Sequence, residues 1–273
     1  MTLCYSGIVS HAPGITGRAD LVQNTSVRDA LYAAFARQRA EIEASKPDVL
    51  LLIAAEHFAN FFMNNMPSFC IGTGESHTGP IEDPVWLKIP ARRIAGAPEL
   101  AGCLVRSIMQ SVDMAYAEEW QCNHGLMVPL HFLDPDNRLP LIPMNINCQG
   151  PPLAPLHRVW AFGEAIREAV DQVPERIAVL GTGGISHWPA TPDSGKINEA
   201  WDREFLGRLF TQDKKALLSY SDEDTYRDAG QGGFEIRTLI AAAAVAGTPG
   251  RLQFYTAELP IFAVGCAIGR FWV

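Results

Sequence analysis

The sequence predicts an α/β fold in which a mixed central β-sheet is flanked by helices on both faces. Short apolar runs rich in β-branched residues, which are typical of buried strands, alternate along the chain with segments of helical periodicity. Hydrophobic residues make up 48% of the 273 residues, which is enough for a large core. Because no repeat, linker or low-complexity tract interrupts the alternation, residues 1–273 are expected to form a single domain.

The clearest strand is 49–55, a run of apolar residues that follows Pro47 and Asp48 and ends at Glu56 and His57. A short run of this kind predicts a strand that is buried on both faces. The other predicted strands are 3–9, 69–72, 114–120, 139–146, 176–180, 251–255 and 264–268.

The best-defined helix is 26–45, for which Ser26 is the expected N-cap and Pro47 the signal that ends it. Its apolar residues recur every three or four positions, as on the buried face of a helix. Helices are also predicted at 98–111, 157–172, 198–210 and 234–246. Residues 72–90 are expected to form a loop at the rim of the sheet, and 213–228 a surface helix or loop.

Charge and composition exclude several classes of function. The net charge of −8 gives no basic surface for nucleic acid. The longest apolar run, of about ten residues, is far too short to span a membrane. The N-terminal segment has no basic region before its apolar part, so no signal peptide is predicted and a cytoplasmic location is expected.

Histidines follow three of the predicted strands: His11 after 3–9, His57 after 49–55, and His187 after 176–180 and a glycine cluster. Carboxyl ends of parallel strands meet at one edge of a sheet, where open α/β sheets bind ligands. With His124 and Glu235, these residues predict a metal site. Two imidazoles and one carboxylate would leave three positions of an octahedral Fe(II) open. Each residue also has a structural alternative, a satisfied core histidine or a carboxylate that favours a helix dipole.

Five motifs resemble the class III extradiol ring-cleavage dioxygenases. They are Ser-His-Ala-Pro at 10–13, Glu-His-Phe-Ala-Asn-Phe-Phe at 56–62, Met-Pro-Ser-Phe-Cys-Ile-Gly at 66–72, Asn-His-Gly at 123–125 and Gly-Thr-Gly-Gly-Ile-Ser-His at 181–187. The resemblance keeps the same order from residue 10 to about residue 247, and the last motif is its most specific part.

The resemblance implies that His11, His57 and Glu235 bind Fe(II), that His187 is the acid/base residue and that His124 is a second active-site histidine. It implies an enzyme of aromatic-compound catabolism, which uses O2 to open the ring of a catechol to a semialdehyde. A homo-oligomer is expected, with a small accessory subunit as a further partner.

Two residues depart from the family pattern, because Glu56 and Asn123 stand where aspartate is expected. These two differences affect the identity of the expected substrate more than the expected class of reaction. A 2-aminophenol dioxygenase, a zinc hydrolase and a non-catalytic subunit of the same fold are the alternatives. A dinucleotide site at 181–187 is disfavoured because Ser186 stands where that fingerprint has glycine or alanine. His77 is expected to be solvated in the rim loop.

Overall fold

The computed structural model of the chain describes residues 2–273. The strands are β1 (Leu3–Val9), β2 (Val49–Ala55), β3 (Phe69–Gly72), β4 (Ser76–Gly79), β5 (Arg92–Ala95), β6 (Ala115–Ala117), β7 (Leu141–Ile146), β8 (Ile177–Thr182), β9 (Gly250–Thr256) and β10 (Cys266–Phe271). The α-helices are α1 (Gly14–Gly17), α2 (Thr25–Ser45), α3 (Pro84–Leu87), α4 (Pro98–Ile108), α5 (His124–Leu133), α6 (Leu156–Asp171), α7 (Glu199–Phe210), α8 (Lys214–Leu217), α9 (Asp222–Ala229) and α10 (Ile236–Ala246). Short 3₁₀ helices lie at Ala19–Leu21, Gly232–Glu235 and Pro260–Phe262.

Eight strands form one sheet in the order β6-β3-β7-β2-β8-β1-β10-β9, while β4 and β5 form a separate antiparallel pair. The four strands β7, β2, β8 and β1 are parallel. β3 pairs with β7 and β10 pairs with β1 in the antiparallel sense, so the sheet is mixed. The core on one face involves α4, α6, α7 and α10, and the core on the other involves α2 and α5. The predicted fold class is confirmed.

Strand β2 illustrates how the sequence builds two cores at once. Every one of its seven residues is buried. Val49, Leu51, Ile53 and Ala55 belong to one core, whereas the alternating residues Leu50, Leu52 and Ala54 belong to the other. Because successive side chains of a strand point to opposite faces, an all-apolar run is the pattern that a strand between two helical layers requires.

Helix α10 packs so closely against the sheet that its main chain meets the main chain of β8. A Cβ atom at Gly181 of β8 would come within 2.4 Å of the carbonyl oxygen of Thr238. The Thr238 hydroxyl lies 2.9 Å from the carbonyl oxygen of Thr182, at the end of β8, and 2.8 Å from that of Glu235. The contact therefore fixes the start of α10 relative to the end of β8.

Three expectations from the sequence are wrong. Residues 72–90 are not simply a loop, since they contain β4 and α3. His77 is not solvated, since it lies on β4 with 1% of its surface exposed. Ser26 is not the N-cap of α2, which begins at Thr25 with Asn24 as its N-cap, because the Asn24 side chain accepts the Val27 N–H. Within residues 2–273, no helix combines the length and the apolar character needed to cross a bilayer.

A buried aspartate anchors the loop that follows β8. Asp202 of α7 is fully buried and accepts the backbone N–H of Ser186 at 2.9 Å and the hydroxyl of Tyr255 at 2.7 Å. Burial raises the pKa of Asp202 to about 6, although both donors act in the opposite direction. The fold therefore binds this proton more tightly than the unfolded chain does.

We expect Asp202→Asn to change how stability depends on pH. Between the ordinary pKa of 3.8 and the folded value of about 6, the folded protein binds more protons than the unfolded chain. The contribution of Asp202 to the free energy of unfolding should therefore fall as the pH rises through this window, by up to about 3 kcal/mol. Urea unfolding of both proteins at pH 4, 5, 6 and 7 measures the difference, with the exposed Asp113→Asn as control. Parallel curves for wild type and Asp202→Asn would contradict the assignment.

Candidate active site

Three neighbouring parallel strands deliver the predicted strand-end histidines to one edge of the sheet. β8 lies between β2 and β1. His11 comes two residues after β1, His57 two residues after β2, and His187 after the glycine-rich turn that follows β8. The edge predicted from the sequence is therefore the place where these side chains meet.

Glu235 lies between the first two histidines. Its Oε2 atom is 3.1 Å from Nε2 of His11, and its Oε1 atom is 3.0 Å from Nε2 of His57. Although Glu235 precedes α10, its side chain makes no capping hydrogen bond there. It turns into the site, where Oε2 also accepts the backbone N–H of Gly184 at 2.7 Å. These contacts show that Glu235 does more than interact favourably with the dipole of α10, which was the structural alternative.

Hydrogen bonds identify the tautomer of His11. The hydroxyl of Thr182 donates to the carbonyl oxygen of Gly125 at 2.7 Å, so its oxygen is left to accept a proton from Nδ1 of His11, which is 3.0 Å away. Nε2 of a neutral His11 is then bare and faces the Glu235 carboxylate. Two acceptors at 3.1 Å need a proton or a metal cation between them.

Burial and charge act against each other in this cluster. Burial lowers the pKa of His11, only partly offset by the charge of Glu235. Burial would raise the pKa of Glu235, but the neighbouring imidazoles, His11 foremost, hold it well below its ordinary value. For His57, burial acts to lower the pKa, and the hydrogen bond and charge of Glu235 outweigh it and raise the pKa. A neutral His11 beside an ionised Glu235 is the protonation state that suits a metal ligand set.

A tight turn directs His57 into the site. His57 and Phe58 both adopt left-handed backbone conformations, with φ of 56° and 55°. Two consecutive non-glycine residues rarely do so, and such strain persists only where the surroundings hold it. Glu56 supplies this support, because its buried carboxylate accepts the backbone N–H groups of Asn60 and Phe61 and a side-chain N–H of Asn145.

The two departures from the family pattern contact each other. The amide of Asn123 donates to the carbonyl oxygen of Glu56, and its oxygen accepts the backbone N–H of Gly125 at 2.8 Å. Glu56 and Asn123 therefore join the turn that carries His57 to the start of α5, which carries His124. Both residues support the backbone and leave the imidazoles to other partners.

His187 is held so that one ring nitrogen is free. Its Nδ1 lies 3.0 Å from the carbonyl oxygen of Ile185, which can only accept, so Nδ1 carries the proton. In a neutral ring Nε2 then has the lone pair, and this atom lies 3.8 Å from Oε1 of Glu235, too far for a hydrogen bond. Gly184 makes this placement possible, because a Cβ atom there would come within 2.8 Å of the His187 ring and 2.3 Å of Val264.

His124 lies beside His57, with ring centroids 4.1 Å apart. Its Nδ1 atom and its backbone N–H both contact Oε1 of Glu82, at 2.6 and 2.8 Å. Burial and the charge of His57 lower the pKa of His124 to about 4. The candidate ligand atoms of His11, His57 and His124 all lie within 4.8 Å of one another, which makes these three histidines a second possible metal grouping.

The histidines and Glu235 open onto a cavity of about 570 Å³. Apolar side chains form much of its wall, among them Phe58, Trp86, Phe262 and Val264. Arg18 lies at its mouth, exposed to solvent. The structure thus brings all five predicted site residues to a pocket large enough for a substituted aromatic ring.

Three supporting residues were missed in the sequence. Glu82 lies in the segment expected to be a simple rim loop, and nothing near it in sequence indicates a histidine partner. Thr182 lies in the motif at 181–187, but the sequence assigns no role to it. Asp202 could have been found, because it occupies the apolar face of α7 with Phe205, Leu206 and Leu209, where an acid is unusual.

Comparison with known proteins gives the family. Residues 6–267 match the family model described as the catalytic LigB subunit of aromatic ring-opening dioxygenase. A 2,3-dihydroxyphenylpropionate/2,3-dihydroxicinnamic acid 1,2-dioxygenase from Cupriavidus necator is 29% identical over 96% of this chain and 93% of that protein. An enzyme with the same name from Escherichia coli O139:H28 is 28% identical, covering 90% of each chain.

A solved structure shares the fold. An uncharacterized protein from Escherichia coli K12 superposes with a TM-score of 0.57 and 13% sequence identity, over 87% of this chain and 92% of that chain. At this identity the likeness concerns the fold alone. Taken with the family match and the arrangement of the site, the comparisons establish that the chain belongs to the LigB family of aromatic ring-opening dioxygenases, and the predicted enzyme class, an extradiol ring-cleaving dioxygenase, is confirmed.

Proposed function

We propose that this chain binds one Fe(II) ion through His11, His57 and Glu235 and uses O2 to open the ring of a catechol that carries an acidic side chain. His187 acts as the acid/base residue, and His124 is a second histidine at the reacting centre. The observation that carries the proposal is the buried Glu235 carboxylate, which contacts both strand-end histidines at the floor of the cavity.

The donor set fits a metal ion. Dioxygenases of this family are metal-dependent. A cation between Nε2 of His11 and Oε2 of Glu235 would satisfy two acceptors that otherwise face each other. Two nitrogens and one carboxylate oxygen, with the remaining positions open, suit a non-haem Fe(II). The three-histidine grouping is less suitable, because it would leave the Glu235 carboxylate buried against His11 without a cation.

Once bound, the iron would lower the pKa of the catechol hydroxyls and supply the redox chemistry for the reaction with O2. A side chain of the protein then accepts the proton that the catechol hydroxyl releases. Nε2 of His187 has its lone pair available and can take a proton from a substrate hydroxyl, while Nδ1 keeps its own proton on the Ile185 carbonyl. The same nitrogen can return the proton later in the reaction, when the ring opens.

Arg18 supports an acidic side chain on the substrate. Its guanidinium, at the mouth of the cavity, has no carboxylate partner within residues 2–273 and donates only to the carbonyl oxygen of Ile261 at 3.5 Å. The carboxylate of Glu235, by contrast, is turned to the histidines at the floor. Substrates named for the relatives, 2,3-dihydroxyphenylpropionate and 2,3-dihydroxicinnamic acid, carry such a group. The enclosed apolar walls would receive the ring and leave the acid at the mouth.

The proposal also takes residues 1–273 as one catalytic domain, because a single sheet and the segments that follow its strands carry the site. Limited proteolysis that released two folded units would contradict it. The homo-oligomer, the accessory subunit and the cytoplasmic location stay predictions from the sequence.

Replacing a proposed ligand should remove the metal. We expect Glu235→Ala and His57→Ala to lose iron after anaerobic reconstitution and desalting, while the far-ultraviolet circular dichroism spectrum stays close to that of wild type. His124→Ala should keep its iron, and the exposed His157→Ala serves as control. Metal analysis by mass spectrometry gives the occupancy. Full iron in Glu235→Ala, or lost iron in His124→Ala, would point to the three-histidine grouping.

His187→Phe should separate chemistry from binding. We expect iron to be retained and the KM for the catechol to change little, because His187 is not among the proposed ligands. Turnover should fall by roughly 10²–10⁴, the usual contribution of a positioned acid/base residue. His157→Phe provides a matched control with wild-type turnover. Normal turnover by iron-loaded His187→Phe would exclude the acid/base role.

Three substrates test the function and the role of Arg18 together. Fe(II)-loaded protein is mixed anaerobically with 2,3-dihydroxyphenylpropionate, 3-propylcatechol or 2-aminophenol, and the coloured ring-opened product is followed after O2 is admitted. We expect the acid to be preferred, and Arg18→Gln to lower kcat/KM for the acid roughly tenfold, or ~1.4 kcal/mol, with little change for 3-propylcatechol. Arg158→Gln, an exposed arginine on α6, is the control. If the protein turned over neither of the two catechols, the proposed function would be contradicted.

A further inference from the structure

We propose that Glu82 is a positioning residue for His124, and that its carboxylate keeps the proton on Nδ1 so that the bare Nε2 faces the cavity. This assignment rests on the proposed function, in which His124 works at the reacting centre. Oε1 of Glu82 contacts Nδ1 of His124 at 2.6 Å and its backbone N–H at 2.8 Å. A carboxylate oxygen can only accept, so both nitrogens donate to it.

The two contacts together fix the imidazole more firmly than either would alone. The bond to the backbone N–H places the carboxylate at the first residue of α5, and the bond to Nδ1 then sets the ring relative to that backbone. A carboxylate that holds one ring nitrogen selects the tautomer and stabilises a proton taken up on the other nitrogen. Glu82 thus leaves Nε2 of His124 as the ring atom that is available to the cavity.

The segment that carries Glu82 is itself anchored to the segment that carries His124. Thr78 and Gln121 form an isolated parallel bridge. Cys122 donates its N–H to the carbonyl oxygen of Thr78 at 2.7 Å, and Ile81 donates to that of Cys122 at 3.0 Å. Residues just before Glu82 therefore run beside residues just before His124, although 42 positions separate the pair in sequence.

The other end of the segment is fixed as well. The Asp83 side chain caps α3 by accepting the Val85 N–H at 2.8 Å, and Leu87 is fully buried. Trp86, from the same short helix, lines the cavity. One segment thus supplies an aromatic wall for the substrate and the carboxylate for His124, so its position affects both binding and proton transfer.

Three variants test the role of Glu82. Glu82→Ala removes the acceptor, and Glu82→Gln keeps an acceptor oxygen but not the charge. Asp83→Asn is the matched control, because it changes the neighbouring acid, which caps α3 and makes no bond to His124. The first readout is the tautomer of His124, from ¹⁵N chemical shifts of histidine-labelled, metal-free and zinc-loaded protein, with the His124 signals identified by their loss in His124→Gln.

We expect the proton on Nδ1 of His124 in wild type, Asp83→Asn and Glu82→Gln, and a shift of the population towards Nε2–H in Glu82→Ala. Iron retention should equal that of wild type in every variant. Turnover should fall at least roughly tenfold in Glu82→Ala, more than KM changes, with a smaller loss in Glu82→Gln. A purely structural role would alter folding or KM without changing the tautomer.

The assignment fails if wild type carries the proton on Nε2, or if Glu82→Ala keeps both the wild-type tautomer and turnover. Loss of iron in Glu82→Gln would also overturn it, because Glu82 would then support the metal ligands. If wild type opens no catechol ring, the proposed function fails, and the tautomer measurement still decides whether Glu82 orients His124.

Discussion

The site depends on one constraint, which is the burial of the negative charge of Glu235. A carboxylate with 1% of its surface exposed is unfavourable unless positive charge or hydrogen-bond donors surround it. The N–H of Gly184 donates to this carboxylate and Nε2 of His57 can donate to it, while Nε2 of His11 needs a shared proton or a metal cation, and each of the three comes from the end of a different parallel strand. The sheet order β2-β8-β1 is therefore what makes the buried charge tolerable.

Around this centre, a hydroxyl, a carbonyl and a carboxylate determine the orientation of three imidazoles. Thr182 orients His11, the Ile185 carbonyl orients His187, and Glu82 contacts His124. In each case the partner takes Nδ1 and leaves Nε2 to the cavity. His57 is the exception, because its Nδ1 has no partner within residues 2–273. Its direction comes from the left-handed turn that Glu56 holds.

Most of the fold and the central residues of the site could be predicted from the sequence. The runs at 3–9 and 49–55 coincide with β1 and β2, because a buried strand needs apolar residues on both faces. The five site residues were named from strand ends and family motifs. Glu82 could not be found, because its approach to His124 depends on the bridge between Thr78 and Gln121. Neither segment has a local pattern that specifies its partner, so β4 was also missed.

The contact between α10 and β8 has a consequence for divergence within the family. Because Gly181 meets the backbone of Thr238, the spacing between the helix that follows Glu235 and the strand that leads to His187 depends on main-chain atoms. Side chains elsewhere in the two cores can then be exchanged without moving the donor atoms, provided that this small interface is kept. Relatives only 27–29% identical over nearly the whole chain are compatible with such an arrangement. At Gly181, by contrast, any larger residue would have to displace the main chain of α10 and with it the start of the helix that follows Glu235.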